Sequence, residues 1–161
     1  MGIMRSLRLK DLLATAEDHI SAGRLHRAVD SYRKVLSFAH LGEFEHELAH
    51  VRLGDLHLGL GEVDRAIAHL RCARRLDESE PEYALMLGRA LLAYDRPDEA
   101  SVHLMDAVAF PFYAPQAFAE LAQATFAMGD RSAAGVLARK AVELEPNEVD
   151  YHHLARRFAD A

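Results

Sequence analysis

Apolar residues recur at helical spacing along most of the chain, and the clearest stretch runs from Pro115 to Pro146. Phe118, Leu121, Ala122 and Thr125 fall at i, i+3, i+4 and i+7, the spacing of one helical face. After a break at Met128-Gly129-Asp130, Ala134, Ala138 and Ala141 repeat that spacing, with Leu144 beyond them. Small side chains on that stripe let the second helix lie close against the first. Pro146 then stops the pair. The stretch predicts a helical hairpin, and no segment of the chain alternates with the period of two that marks a half-buried strand. The expected class is all-α.

The hairpin recurs. Aligning the turn residue and the alanine after it pairs Gly23 with Ala28, Gly61 with Ala66, Asp95 with Ala100 and Gly129 with Ala134. Successive alanines are 38, 34 and 34 residues apart. The segments AGRLHRAVDSYRKV, LGEVDRAIAHLRCA, YDRPDEASVHLMDA and MGDRSAAGVLARKA align without gaps. Leu53-Gly54, Leu87-Gly88 and Leu121-Ala122 precede their turns at the same distance. This register resembles the tetratricopeptide repeat family, whose unit of about 34 residues carries Leu-Gly in helix A, Gly at the turn, Ala in helix B and Pro at the end. The resemblance spans roughly residues 9–147. It implies a right-handed α-solenoid of helix-turn-helix repeats, one domain over 1–161, with repeats at about 9–42, 47–80, 81–114 and 115–147 and a capping helix at about 148–159.

Two departures from strict periodicity refine this picture. Repeat one is weakly patterned, with Thr15 and Ala16 where later repeats carry Leu and Gly, as expected of an end repeat whose outer side faces water. Four extra residues lie within SFAHLGEFEHEL, between repeats one and two. An insertion of about one turn nearly preserves the face a helix presents. Helix A of repeat two is therefore expected to begin early, near Glu43.

The resemblance also implies where a partner would sit. In that family helix A lines the concave face through its second, fifth, ninth and twelfth positions. The fifth positions here are Leu13, Val51, Leu85 and Ala119, and the twelfth are Ile20, Leu58, Leu92 and Phe126. The ninth are Glu17, Asp55, Arg89 and Gln123, with Arg156 next in the cap. Apolar rails flanking a track that runs from acidic to basic suit an extended peptide or amphipathic helix whose charges run the other way. Arg89 and Arg156 would pair with acidic partner residues, Glu17 and Asp55 with basic ones, and Phe126 would anchor an apolar side chain. Family members that hold a peptide carboxylate use a set of Lys, Asn and Arg; Leu13 and Glu17 stand at the first two of these places, so no such clamp is expected. The implied function is a non-enzymatic adaptor or scaffold for a protein or peptide partner. Two alternatives remain besides a zinc hydrolase built on His46-Glu47-Leu48-Ala49-His50, taken up below. Small acidic tetratricopeptide proteins of this length serve as chaperones for secreted proteins, and homo-oligomers would form through the aromatic turn Phe110-Pro111-Phe112-Tyr113-Ala114-Pro115 or the end helices.

Composition narrows the field. A chain of 161 residues with 50% apolar content can bury one continuous core. A net charge of -6 argues against a general nucleic-acid binder, which carries a basic face. No run of about 18 apolar residues marks a membrane span. A single cysteine, Cys72, makes no internal disulfide and reads as a small packing residue, so a cytoplasmic location without cofactor is expected. The N-terminal Met1-Gly2-Ile3-Met4-Arg5-Ser6 fits the loose myristoylation pattern, with Arg5, Arg8 and Lys10 as a basic second signal. The other reading is an amphipathic lead-in with Met4 and Leu7 packing inward.

One motif has enzymatic associations. His46-Glu47-Leu48-Ala49-His50 is a literal H-E-x-x-H, the two-ligand and general-base element of zinc proteases. His57 shares the face of His50, yet in an unbroken helix it lies about 10 Å further along, too far to close one coordination sphere. His50 also falls where the repeat family places an inward-facing aromatic. With ten histidines in the chain the motif reads as coincidence, leaving His46 and His50 as weak metal candidates and no catalytic residue.

Overall fold

The four turn positions aligned in sequence share one backbone conformation. Gly23, Gly61 and Gly129 have φ of 68°, 72° and 93°, and Asp95, which stands in for glycine in the third hairpin, has φ of 55°. That left-handed region costs little for glycine and is tolerated by aspartate. Each turn ends helix A and lets the chain double back after three residues. In the computed structural model, which describes residues 2–38 and 42–159, the hairpins are α1 (Gly2–Ser21) with α2 (Leu25–Leu36), α3 (Glu43–Gly59) with α4 (Val63–Leu76), α5 (Pro81–Ala93) with α6 (Pro97–Val108), and α7 (Ala114–Ala127) with α8 (Arg131–Leu144). A last helix, α9 (Val149–Ala159), packs on α8. No strand occurs among the described residues. The chain is all-α and of the helical-repeat class.

Local sequence explains where the elements start. Pro81 and Pro97 occupy first-turn positions of α5 and α6, where a missing N–H costs nothing. The Asp130 carboxylate accepts from the Ala133 N–H at 2.9 Å and caps α8. Helix α3 begins at Glu43, as the inserted turn requires. Helix α1 begins at Gly2, earlier than the repeat boundary at residue 9, because nothing between them interrupts a helix. Met1, where the lipidation motif begins, lies outside the described residues, as do His40 and Leu41 of the inserted segment.

The helices gather into two compact units, one ending at Glu78 and the other beginning at Ser79. In the first, each of α1 to α4 packs on the next around a core that includes Ala16, Ala28, Tyr32, Val35, Ala49 and Leu53. In the second, consecutive helices from α5 to α9 pack together, and α7 also touches both α5 and α9. The aligned alanines Ala28, Ala66, Ala100 and Ala134 are all fully buried.

Within a hairpin, the close approach of A to B is a matter of size matching. A Cβ on Gly54 would sit 2.7 Å from Leu70, and one on Gly88 would sit 2.6 Å from Leu104. Both leucines are fully buried and have nowhere to retreat. In the register of the repeats the fourth hairpin has Ala122 and Ala138 at these two places, both in one buried cluster. The first has Ala16 and Tyr32, both fully buried in the core of their unit. Glycine faces leucine in the second and third hairpins and alanine faces alanine in the fourth, while the first sets Ala16 against the larger Tyr32. Gly88→Ala is accordingly expected to destabilise by about 1–3 kcal/mol through overpacking, exceeding the gain of about 1 kcal/mol from better helix propensity. Urea denaturation measures the loss. Adding Leu104→Ala should recover much of the Gly88→Ala penalty; penalties that simply add would show that the two positions do not oppose each other.

Candidate functional site

The first feature of the second unit that bears on function is an acid among apolar helices. Glu120 lies mid-way along α7 and is only 9% exposed. Its Oε1 receives the Arg89 Nε from α5 at 3.1 Å and the Gln116 amide from one turn earlier at 3.2 Å. Its Oε2 is buried with no hydrogen-bond partner. Burial pushes the carboxyl up to about 7, against the pull of Arg89 and Gln116 in the opposite direction. Arg89 itself is more than half exposed, so one end of the pair is wet and the other dry.

Two open pockets meet at this residue. One, of about 390 Å³, is lined by Arg89, Leu92, Ala93, Glu120 and Gln123 from α5 and α7. The other, of about 430 Å³, is lined by α7 and by the start of α9, including Glu148, Asp150, Tyr151 and Leu154. Glu120 and Gln123 belong to both, so the pockets adjoin along α7 as a lane of two compartments.

The residues expected from sequence divide accordingly. Arg89, Leu92, Ala119 and Gln123 line the lane, although Ala119 is nearly buried. Leu85 is packed away at 4% exposure. Phe126 is turned to the cap, its ring stacked on Phe158 at 4.5 Å and flanked by the Arg131 and Arg157 guanidinium groups at 5.8 and 5.7 Å. Arg156 borders a different pocket, with Arg139, Glu143 and His152 between α8 and α9. Sequence reasoning missed Glu120, Glu148, Asp150 and Tyr151.

In the first unit Leu13, Glu17 and Ile20 lie on α1 and Val51, Asp55 and Leu58 on α3. All are half-buried except Asp55, which is exposed. Glu17 pairs with Arg52 of α3 at 3.2 Å and accepts from the Tyr32 hydroxyl at 2.5 Å. Burial, then the Glu17 carboxylate, hold that phenol well above its ordinary range. In repeat register Glu17 and Arg89 are the same position, and so are Arg52 and Glu120. The same bridge between successive A helices therefore occurs in both units with its charges reversed. Reading the sixth position of helix A together with the ninth would have exposed this pattern.

The H-E-x-x-H segment lies on α3, where His50 Nδ1 meets His69 Nδ1 of α4 at 3.0 Å. The His57 ring stacks on His69 at 5.5 Å, and His57 Nδ1 donates to Glu62 Oε2 at 2.6 Å. Among the described residues no three His, Cys, Asp or Glu converge on a point that could hold a metal ion. The cluster is packing between A and B helices, with Glu62 held ionised chiefly by the Arg65 guanidinium. Elsewhere Phe112 is 85% exposed and meets Tyr113 edge to face, while Phe110 is 41% exposed.

No protein-family model matches the chain, and no curated protein does. Solved structures do. A crystal structure of MamA protein is similar at TM-score 0.83 and 20% identity, over 94% of this chain and 81% of its own. The NMR structure of the first TPR domain of the human RPAP3 protein is similar at 0.68 and 21%, over 74% and 93%. The first TPR of Spaghetti (RPAP3), bound to HSP90 peptide SRMEEVD, is similar at 0.68 and 20%, over 76% and 97%. Among the described residues no helix is long and apolar enough to cross a membrane.

The imidazole cluster sets a pH dependence for the first unit. Burial, then the neighbouring His50, His57 and Arg33, push the His69 imidazole down to about 4, and burial with His46 and Arg75 lowers His50. A histidine whose folded value lies below its unfolded value contributes fully above about pH 6.5 and loses that contribution as pH falls toward 4. Partial exposure limits the His69 contribution to about 1–2 kcal/mol. The drop in thermal stability between pH 7 and pH 4.5, followed by circular dichroism, should therefore be smaller in His69→Phe than in the wild type. An equal drop in both would mean that His69 is not held neutral by its surroundings.

Proposed function

For a chain with the tetratricopeptide-repeat fold, we propose a non-enzymatic adaptor that holds a peptide or amphipathic segment of a partner protein along its A helices. The observation that carries this reading is the lane in the second unit, where two open pockets run together through Glu120 and Gln123 across α5, α7 and α9. Recognition would be by complementarity to a helix face: Leu92 and Leu154 supply apolar wall, Gln123 supplies donors and acceptors, and the Arg89–Glu120 pair marks a fixed point of charge. A structural neighbour that carries a bound peptide supports the same use of the fold. Because Glu120 already occupies Arg89, an acidic partner group would have to compete with a buried carboxylate for that guanidinium. Arg89 is thus better described as a positioning residue for Glu120 than as a free anchor.

A random linear peptide library displayed on phage tests the proposal. Selected peptides should bind the wild type and lose about tenfold or more in affinity on Gln123→Arg. That substitution changes an exposed helix position and should leave the melting temperature unaltered. Peptides that bind both proteins equally would place the binding surface elsewhere.

A further inference from the structure

We propose that the pocket between α7 and the start of α9 is a subsite for a basic side chain, a lysine or arginine of the partner, with Glu120 as its anchor. This rests on the adaptor reading and names the chemistry of its partner. Three carboxylates, Glu120, Glu148 and Asp150, line the pocket, and no Lys, Arg or His lines it. Glu148 and Asp150 are exposed at its rim, whereas Glu120 is at its dry end with Oε2 buried and unpartnered. A buried acceptor without a partner is costly. A charged donor reaching it would make a strong, charge-assisted hydrogen bond. Tyr151 and Leu154 give the pocket an apolar side on which the methylene stem of a lysine or arginine can lie.

The charges around the pocket agree. Arg89 on α5 is the cation facing Glu120, and it is engaged by Oε1. Against it stand Glu120, Glu148 and Asp150, so the pocket is net negative when all are ionised. The Tyr151 phenol reports that field: burial first, then the carboxylates Glu145, Glu148, Glu120 and Asp150, push its proton affinity up. A divalent metal ion is not the ligand this arrangement suits. Among the described residues no three such ligands converge tightly enough, and one oxygen of Glu120 is already taken. Carboxylates spread around a pocket of about 430 Å³ fit an ammonium or guanidinium on a stem.

Binding of this kind is linked to protons. With the Glu120 carboxyl near 7 in the free protein, about half of it is protonated at neutral pH. A cation binds the ionised form and expels that proton. Its affinity should therefore rise about tenfold between pH 6 and pH 8.

The test is titration of the isotopically labelled full chain with n-butylammonium, with n-butanol as the uncharged control, followed by amide NMR shifts. The expected result is saturable shifts at Gln123 and Tyr151 with the amine alone, stronger at pH 8 than at pH 6 and abolished by Glu120→Gln. If Glu120→Gln does not fold, Glu148→Gln with Asp150→Asn at the exposed rim should weaken the same binding several-fold. Absence of saturable shifts, equal shifts with butanol, or binding indifferent to these variants would overturn the subsite. Peptides from the phage selection that occupy the lane yet show no basic-residue preference, and no response to Glu120→Gln, would overturn it while leaving the adaptor reading intact. Saturable amine binding with no selectable peptide would do the reverse.

Discussion

The distance at which helix A lies against helix B is the constraint from which the rest follows. Gly54 over Leu70 and Gly88 over Leu104 leave no room for one more carbon. Where the small residue becomes alanine, at Ala122, the large one shrinks to Ala138. Such matched volumes hold the second, third and fourth hairpins close, because protein interiors are packed at crystal density. The A helices then carry their outward residues at set positions, and only rigid spacing makes the ninth position of one helix meet the sixth of the next. The Arg89–Glu120 and Glu17–Arg52 bridges are consequences of that spacing.

The second unit makes use of a tension between burial and charge. Glu120 sits where water is excluded, yet it is only partly compensated, by one guanidinium that is itself half in solvent and by one amide. A fully apolar residue there would stabilise the helix pair more simply, since a buried ion pair seldom outweighs its own desolvation. Groups whose proton affinity is shifted by burial cluster at functional sites. The first unit settles the equivalent pair differently: Tyr32 adds a hydroxyl to Glu17, and the pair is more open to water.

Much of the fold was legible in the chain because its signals are local and repeated. Gly23, Gly61 and Gly129 announce left-handed turns, and the spacing of the alanines after them identified even Asp95 as a fourth member. The early start of α3 at Glu43 followed from counting one extra turn. The site was less legible, for physical reasons. The ninth and twelfth positions say which face a residue is on, not what already occupies it. Phe126 faces α9 because Phe158 arrives from a helix outside the repeat, and Arg156 looks toward α8 for the same reason. Glu120 was invisible because a lone acid in a helix ordinarily points to water, and the pattern within one repeat does not show which neighbouring helices surround a side chain. The H-E-x-x-H string shows the converse. A short motif does not show what already engages its side chains: His50 Nδ1 meets His69 of the next helix, a contact no local pattern announces.

The reversed polarity of the two bridges makes the repeats non-interchangeable despite their common backbone. A chain in which repeat four directly followed repeat one would set Glu120 opposite Glu17, and one in which repeat two followed repeat three would set Arg52 opposite Arg89. Like charges would then face each other where successive A helices meet. The joining of repeat one to two and of repeat three to four is thus written in complementary charge, and an exchange that gives either a like-charged neighbour is penalised at the protein level.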